Sequence, residues 1–180
     1  DAGDHAIFGL PQGYTASTLG WGYYEFKDSY DSLGLTEHYR TIADYFAAFF
    51  KNSTKLSGDS VSSFCYQLGD GNVDHSYWNT PEGVQKEYWT SSTASDIAAE
   101  YAAALAINYI NFGNEEDLKY AKALLNYATR VNSVATDGPN GFYGSDDYKD
   151  DVAWAAGWLY LATKDTTYQN IMNQNIPQYI

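Results

Sequence analysis

The sequence predicts an all-α fold made of helical hairpins, and three observations lead to that class. Apolar residues recur at helical spacing in six segments of about 12–20 residues. Glycines and N-cap residues separate these segments, and no set of alternating strands is evident. A fixed period of about 34 residues, which a tetratricopeptide-like solenoid would show, is missing. The length predicts one domain over residues 1–180.

Each predicted helix has its own local signals. The first is interrupted by Gly20 and Gly22, and the third is alanine-rich and ends at Gly113, in the usual position after a helix. Asn114 is the expected N-cap of the fourth helix, whose first turn is acidic. In order, the six helices are expected at about 16–31, 37–52, 95–112, after Asn114, at 148–163 and from about Thr166.

A long irregular stretch, residues 53–92, separates the second predicted helix from the third. It contains a short strand-like piece at Phe64–Leu68, followed by the turn-forming run Gly69–Asn72. A loop of this length in a compact domain usually serves a function.

Charge and composition exclude several classes of partner. The formal net charge of −13 leaves no basic footprint for nucleic acid or for an anionic membrane surface. No apolar run approaches the roughly 20 residues that span a bilayer, and Cys65, as the single cysteine, can form no intrachain disulfide. Aromatic residues make up 17% of the chain, which indicates either a large core or a cleft whose rings stack on sugars.

The first candidate site is the run 1–5, Asp-Ala-Gly-Asp-His. Asp1 and Asp4 flank a glycine, and in a tight loop two such carboxylates can hold one water and take its proton. Hydrolysis of a glycoside needs a carboxylate in that role. The alternative is an ordinary N-cap and turn.

The second candidate lies in the long loop, where acidic, imidazole and indole groups fall within residues 69–78. His75 and Trp78 are candidate sugar contacts, and the alternative is a structured turn with a buried tryptophan. The spacing lacks the glycine and the distal glutamate of an EF-hand, which argues against a calcium loop there.

The third candidate combines an aromatic pair with an acidic cluster. Phe142 and Tyr143 stand in a glycine-framed loop, and Asp150 and Asp151 follow at the start of the fifth helix. The carboxylates either complement the helix dipole or bind a structural Ca²⁺.

The histidines show no zinc-binding spacing, and no nucleophile elbow or phosphate loop occurs.

Three blocks, in order along the chain, resemble glycoside hydrolase family 9, a family of cellulases. The first block, Asp1–His5 with Phe8-Gly9, Pro11 and Leu19-Gly20-Trp21, is similar to the family's N-terminal signature. The second is Tyr66–Asn72 with Asp74, His75 and Trp78. The third is Asn140–Tyr143 with Asp150–Ala156 and Trp158–Tyr160.

The resemblance implies an (α/α)₆ barrel, of which about three hairpins are present, and hydrolysis of internal β-1,4-glucosidic bonds with inversion. It implies Asp4 as the general base and Asp1 as a residue that holds the attacking water. Sugar contacts would come from His75, Trp78, Phe142 and Tyr143. Asp150 and Asp151 would fall where many members bind Ca²⁺; no cofactor is required for the chemistry.

Two departures from the family pattern bear on the function. Asp146 stands where an aromatic residue is usual, and nothing after Thr166 resembles the family's general-acid motif. We therefore expect an incomplete barrel whose exposed core favours self-association. From the resemblance we expect a secreted enzyme acting on β-glucan. The alternatives are a glucan-binding protein without catalysis and a helical scaffold whose aromatic residues are all core.

Overall fold

The computed structural model describes residues 5–76, 78, 80, 82, 86–136 and 142–176. Within these residues the chain forms seven helices and four strands. The helices are α1 Gly9–Ser32, α2 Thr36–Asn52, α3 Gly71–Asp74, α4 Ser95–Phe112, α5 Glu115–Val131, α6 Lys149–Thr163 and α7 Thr166–Asn175. The strands are β1 Ile7–Phe8, β2 Thr54–Ser57, β3 Ser60–Leu68 and β4 Glu87–Thr90.

The six long helices form three hairpins, α1–α2, α4–α5 and α6–α7, as the sequence predicted. Helix α4 is the centre of the arrangement because it packs against α1, α5 and α6. Helices α2, α5 and α7 cover the outside of their partners. The described chain therefore has an inner row of three helices and an outer row of three.

Small residues let the inner helices approach each other closely. Nearly every side chain of α4 from Ser95 to Asn108 is buried, and many of them are alanines. On α1, a Cβ at Gly13 would lie 2.6 Å from Glu100 Cβ, and one at Gly20 would lie 2.6 Å from Ile107 Cγ2. The two backbones thus meet at a separation that larger side chains would prevent.

The helix ends predicted between α4 and α5 are confirmed. Gly113 follows α4 with φ +77°, a left-handed conformation that favours glycine, and its N–H donates to the carbonyl of Tyr109. The Asn114 side chain accepts from the N–H of Glu116 at 3.0 Å and caps α5.

The first helix begins at Gly9, earlier than the predicted position near residue 16. Pro11 does not prevent this start, because the first turn of a helix needs no intrahelical donor from its N–H groups. The extra turns bring the start of α1 next to β1, close to the first candidate block.

The stretch 53–92, expected to be irregular apart from one strand-like piece, contributes three strands to an antiparallel sheet. β3 includes the predicted piece and pairs with β2, β4 and β1. β2 and β4 have only four residues each, which is too short for a periodic signal. Gly58, with φ +63°, stands in the β2–β3 turn.

One face of the inner row leaves large apolar side chains exposed. Trp21 and Tyr24 of α1 make edge contacts with Trp154 and Trp158 of α6, yet both keep more than two-fifths of their surface exposed. Among the described residues, no helix combines the length and the apolar character that crossing a bilayer requires.

Candidate active site

The three sequence blocks meet around the ring of Phe142. The rings of Phe8 and Phe142 stack with their centroids 5.5 Å apart, and the ring of His75 meets Phe142 edge-on at 5.3 Å. Tyr143 packs against Phe8 at 5.0 Å. One residue from the first block, one from the second and two from the third therefore form a single aromatic cluster.

Two short elements place these rings. β1 pairs with β3 through Ile7↔Leu68 and Phe8↔Gln67, which brings the first block beside the second. The one-turn helix α3 ends at Asp74, directly before His75, and the Asp70 side chain caps its start by accepting from the N–H groups of Asn72 and Val73.

Gly71 makes room for the cluster beneath α3. A Cβ at this position would lie 2.8 Å from Phe142 Cε2 and 3.1 Å from Phe8 Cζ. Glycine is the residue type that lets both rings pack against the α3 backbone.

A cleft of about 430 Å³ opens beside this cluster, between the start of α1, the third block and the start of α6. Its walls combine aromatic and acidic side chains, a mixture suited to a ligand with apolar faces and hydroxyl edges. The lining residues are Leu10, Pro11, Tyr14, Glu100, Phe142, Tyr143, Gly144, Ser145, Asp150 and Asp151.

Glu100, which the sequence analysis did not single out, lies at the floor of this cleft. It is 4% exposed, and its carboxyl group is hydrogen-bonded to that of Asp151. Burial raises the pKa of Glu100 to about 7. Burial, and then the charge of Glu100, raise the pKa of Asp151 to about 9. The two carboxyl groups therefore share a proton at neutral pH.

Ser17 connects this carboxyl pair to α6. Its Oγ lies 3.2 Å from Glu100 Oε2 and accepts a hydrogen bond from Trp154 Nε1 at 3.2 Å. The signal that could have pointed to Glu100 is local: it and Asp96 are the two carboxylates of an otherwise apolar, alanine-rich helix, where a charged group needs a partner.

The predicted catalytic residues Asp1 and Asp4 lie outside the described residues. His5, the next residue, is described and contacts Asp74: its backbone N–H donates to Asp74 Oδ2 at 3.2 Å, and its Nδ1 lies 3.0 Å from Asp74 Oδ1. The sequence analysis placed Asp74 in the second block without giving it a role.

The predicted sugar contacts differ in exposure. Trp78 is fully exposed and Tyr143 is 45% exposed, whereas Phe142 is half-buried. The alternative of a turn around a buried tryptophan is therefore wrong for Trp78. The scaffold alternative, in which all aromatic residues are core, is also wrong, because Trp78 and Tyr143 present their rings to solvent.

Asp150 and Asp151 supply carboxylate oxygens, the ligand type that Ca²⁺ prefers. Among the described residues, however, no three acidic, histidine or cysteine side chains are grouped to hold a metal ion. Further ligands would have to be loop carbonyls or waters. The donor chemistry thus fits the ion, and calcium binding stays a prediction.

A second groove, of about 560 Å³, lies on the outer surface between α5 and α7. None of the predicted site residues lines it. We therefore take the smaller cleft beside Phe142 as the candidate active site.

Comparison of the sequence with known proteins relates the chain to endoglucanases. The family model of glycosyl hydrolase family 9 matches residues 1–179. Endoglucanase 2 of Arabidopsis thaliana is 33% identical over 190 aligned residues, which cover 97% of this chain and 36% of that protein. An endoglucanase of Dictyostelium discoideum is 35% identical, over 93% of this chain and 25% of its own length.

Solved structures agree in fold. The catalytic domain of CelT from Clostridium thermocellum superposes with a TM-score of 0.92 and 40% identity, over 98% of this chain and 39% of that domain. The cellulase Cel9M of C. cellulolyticum, in complex with cellobiose, gives a TM-score of 0.87 at 40% identity, over 98% of this chain and 42% of its own. This chain thus spans well under half the length of these relatives and carries the predicted part of an (α/α)₆ barrel. With a family match over 1–179 and these solved structures, the chain belongs to glycosyl hydrolase family 9.

Proposed function

We propose that this chain contributes to an enzyme that hydrolyses internal β-1,4-glucosidic bonds of cellulose or related β-glucans. The observation that carries the proposal is the meeting of all three family-like blocks beside one cleft, through the rings of Phe8, His75 and Phe142. The relatives' names support it: Cel9M is described in complex with cellobiose, and CelQ of C. thermocellum with cellotetraose.

In the proposed mechanism the reaction proceeds with inversion. Asp4 removes a proton from a water molecule that Asp1 helps to hold, and that water attacks the anomeric carbon from the face opposite the leaving sugar. The aromatic side chains of Trp78 and Tyr143, with Phe142 beside the latter, bind glucosyl units, and His75 hydrogen-bonds their hydroxyl groups. The exposure of Trp78 and Tyr143 supports this role, because a sugar can reach both rings.

The general acid is not assigned to a residue of this chain. Glu100 has a raised pKa of about 7, as a general acid requires. Its side chain is nevertheless 4% exposed and is hydrogen-bonded to Asp151, so it is not free to reach a glycosidic oxygen. The family's Asn-Glu motif does not occur after Thr166.

We further propose that the enzyme is secreted and that Ca²⁺, where it binds, has a structural role at Asp150 and Asp151. A cellulose chain is too large to enter a cell, so an enzyme that cuts it internally must meet it outside. The net charge of −13 places no repulsion on a neutral polymer.

The test is the release of reducing sugar from carboxymethyl cellulose by the 180-residue protein, with binding of cellotetraose measured in parallel by calorimetry. Asp4→Asn should lower the rate by about 10²–10⁴-fold, the usual contribution of a general base. Asp28→Asn is the control. It removes an exposed carboxylate from α1, about 30 Å along the helix from Gly9.

Three outcomes separate the hypotheses. Cleavage that is lost in Asp4→Asn alone supports the enzyme and the role of Asp4, and NMR of the first product should then show the α-anomer. Binding without cleavage favours the non-catalytic glucan-binding alternative. Neither binding nor cleavage would overturn the proposal for this chain.

A further inference from the structure

We propose that Asp74 is a positioning residue that holds the segment carrying the general base, an inference that rests on the proposed function. Asp74 contacts His5 with both carboxylate oxygens: Oδ2 accepts from the backbone N–H at 3.2 Å, and Oδ1 lies 3.0 Å from Nδ1 of the ring. Two contacts to one residue define both its backbone and its side-chain direction.

The Asp74 end of this contact is anchored. Asp74 is 8% exposed and closes the single turn of α3, its N–H donating to the carbonyl of Asp70 at 2.8 Å. Asp70 caps that turn and accepts from the hydroxyl of Tyr88 on β4 at 2.9 Å. Gly71 holds the turn against Phe142. Asp74 is therefore tied to the sheet and to the aromatic cluster.

The contact of Asp74 with His5 also constrains the residue before His5, because the two are joined by a peptide bond. The N–H that Asp74 holds belongs to His5, which follows the proposed base directly in the sequence and is joined to it by a planar peptide bond. On the other side of His5, β1 is fixed by pairing with β3. Without Asp74, the chain before β1 would lose its contact with the second block, 69 positions away in sequence.

This role predicts an effect on the rate and not on sugar binding. Asp74→Asn keeps the volume but removes the negative charge and one acceptor oxygen, so the contacts to the His5 backbone N–H and ring are weakened. We expect kcat on carboxymethyl cellulose to fall about 10- to 100-fold, since a misplaced catalytic group costs rate steeply. KM and the affinity for cellotetraose should change little, because Asp74 is not among the residues that line the cleft.

A double-mutant cycle with His5→Asn tests whether the two residues act together. His5→Asn removes the ring contact and keeps the backbone one; because His5 is partly exposed, this variant serves even where Asp74→Asn folds poorly. Asp28→Asn is the control: it changes an exposed carboxylate on α1, away from the contact between His5 and Asp74. Each variant's unfolding temperature is measured beside its kinetics.

The expected result is a loss of kcat in both single variants that does not deepen in the double variant, with near-normal kcat in Asp28→Asn. A normal kcat in Asp74→Asn, or additive losses, would overturn this inference while leaving the proposed function in place. Absence of both turnover and cellotetraose binding in the unaltered protein would overturn the proposed function first, and the inference with it.

Discussion

The carboxyl groups of Glu100 on α4 and Asp151 on α6 are hydrogen-bonded to each other beneath the candidate active site. Burial holds the pKa of both groups above the ordinary range, and a shared proton lets the two inner helices approach without a pair of buried negative charges. The contact joins the second and third hairpins at the point where the cleft opens.

This pair predicts that stability falls as the pH rises. The groups have pKa values near 4.5 and 3.8 when unfolded, and about 7 and 9 when folded, so the folded state binds the extra protons in between. The contribution is complete below about pH 4 and is lost progressively up to about pH 9. Urea unfolding across that range should show it, and Glu100→Gln should flatten the slope. An equal slope in both proteins would contradict the assignment.

Calcium binding at the start of α6 predicts a metal-dependent unfolding temperature. Millimolar CaCl₂ after chelation should raise it, because an ion that binds only the folded protein stabilises that state, Asp151 giving up its proton on binding. Asp150→Asn should abolish the increase. If the carboxylates only complement the helix dipole, calcium will have no effect, and Asp150→Asn will cost about 0.3–1 kcal/mol of unfolding free energy.

Trp78 and Phe142 should respond differently to truncation. Trp78→Ala removes a fully exposed ring, so the free energy of unfolding should change by no more than about 0.5 kcal/mol, while cellotetraose affinity falls several-fold. Phe142→Ala removes a half-buried ring packed on Phe8 and should cost about 2–3 kcal/mol. Calorimetry and chemical unfolding measure the two effects. An unchanged affinity in Trp78→Ala would remove Trp78 from the site.

Two glycines of α1 should give changes of opposite sign. Gly20→Ala would bring a methyl group 2.6 Å from Ile107 Cγ2 and should destabilise the protein by about 1–3 kcal/mol. At Gly22 a Cβ meets nothing within 4 Å, so Gly22→Ala should stabilise the helix by about 0.5–1 kcal/mol. Urea unfolding of the two variants measures both changes in the free energy of unfolding. Equal effects would mean that α1 does not pack on α4 at Gly20.

The exposed aromatic face of α1 predicts that the 180-residue protein associates with itself. Trp21 and Tyr24, which lie one helical turn apart and contact Trp154 and Trp158 of α6, form an exposed aromatic patch of a kind that a lone soluble protein rarely leaves open. Sedimentation velocity should show concentration-dependent association, weakened by Tyr24→Ser. The control is Tyr45→Ser, which removes a 79% exposed ring from α2, in the outer row. A monomer at every concentration would contradict the prediction.

Local sequence signals determined much of the fold. The start of α5 at Asn114 and the end of α4 at Gly113 depend only on groups within one helical turn, and both were predicted. The start of α1 and the strands β2 and β4 were not. A helix start containing Pro11 and strands of four residues offer no clear periodic signal.

The sequence by itself determined the helical class, the three hairpins and, through the order of its motifs, the family and the candidate sugar contacts. Only the tertiary structure decided which residues meet. The contact of His5 with Asp74 joins residues 69 positions apart, and the pair of Glu100 with Asp151 joins two helices. The physical reason is that periodicity and capping act over a few residues, whereas these contacts and their pKa shifts depend on the path of the whole chain and on the burial it creates.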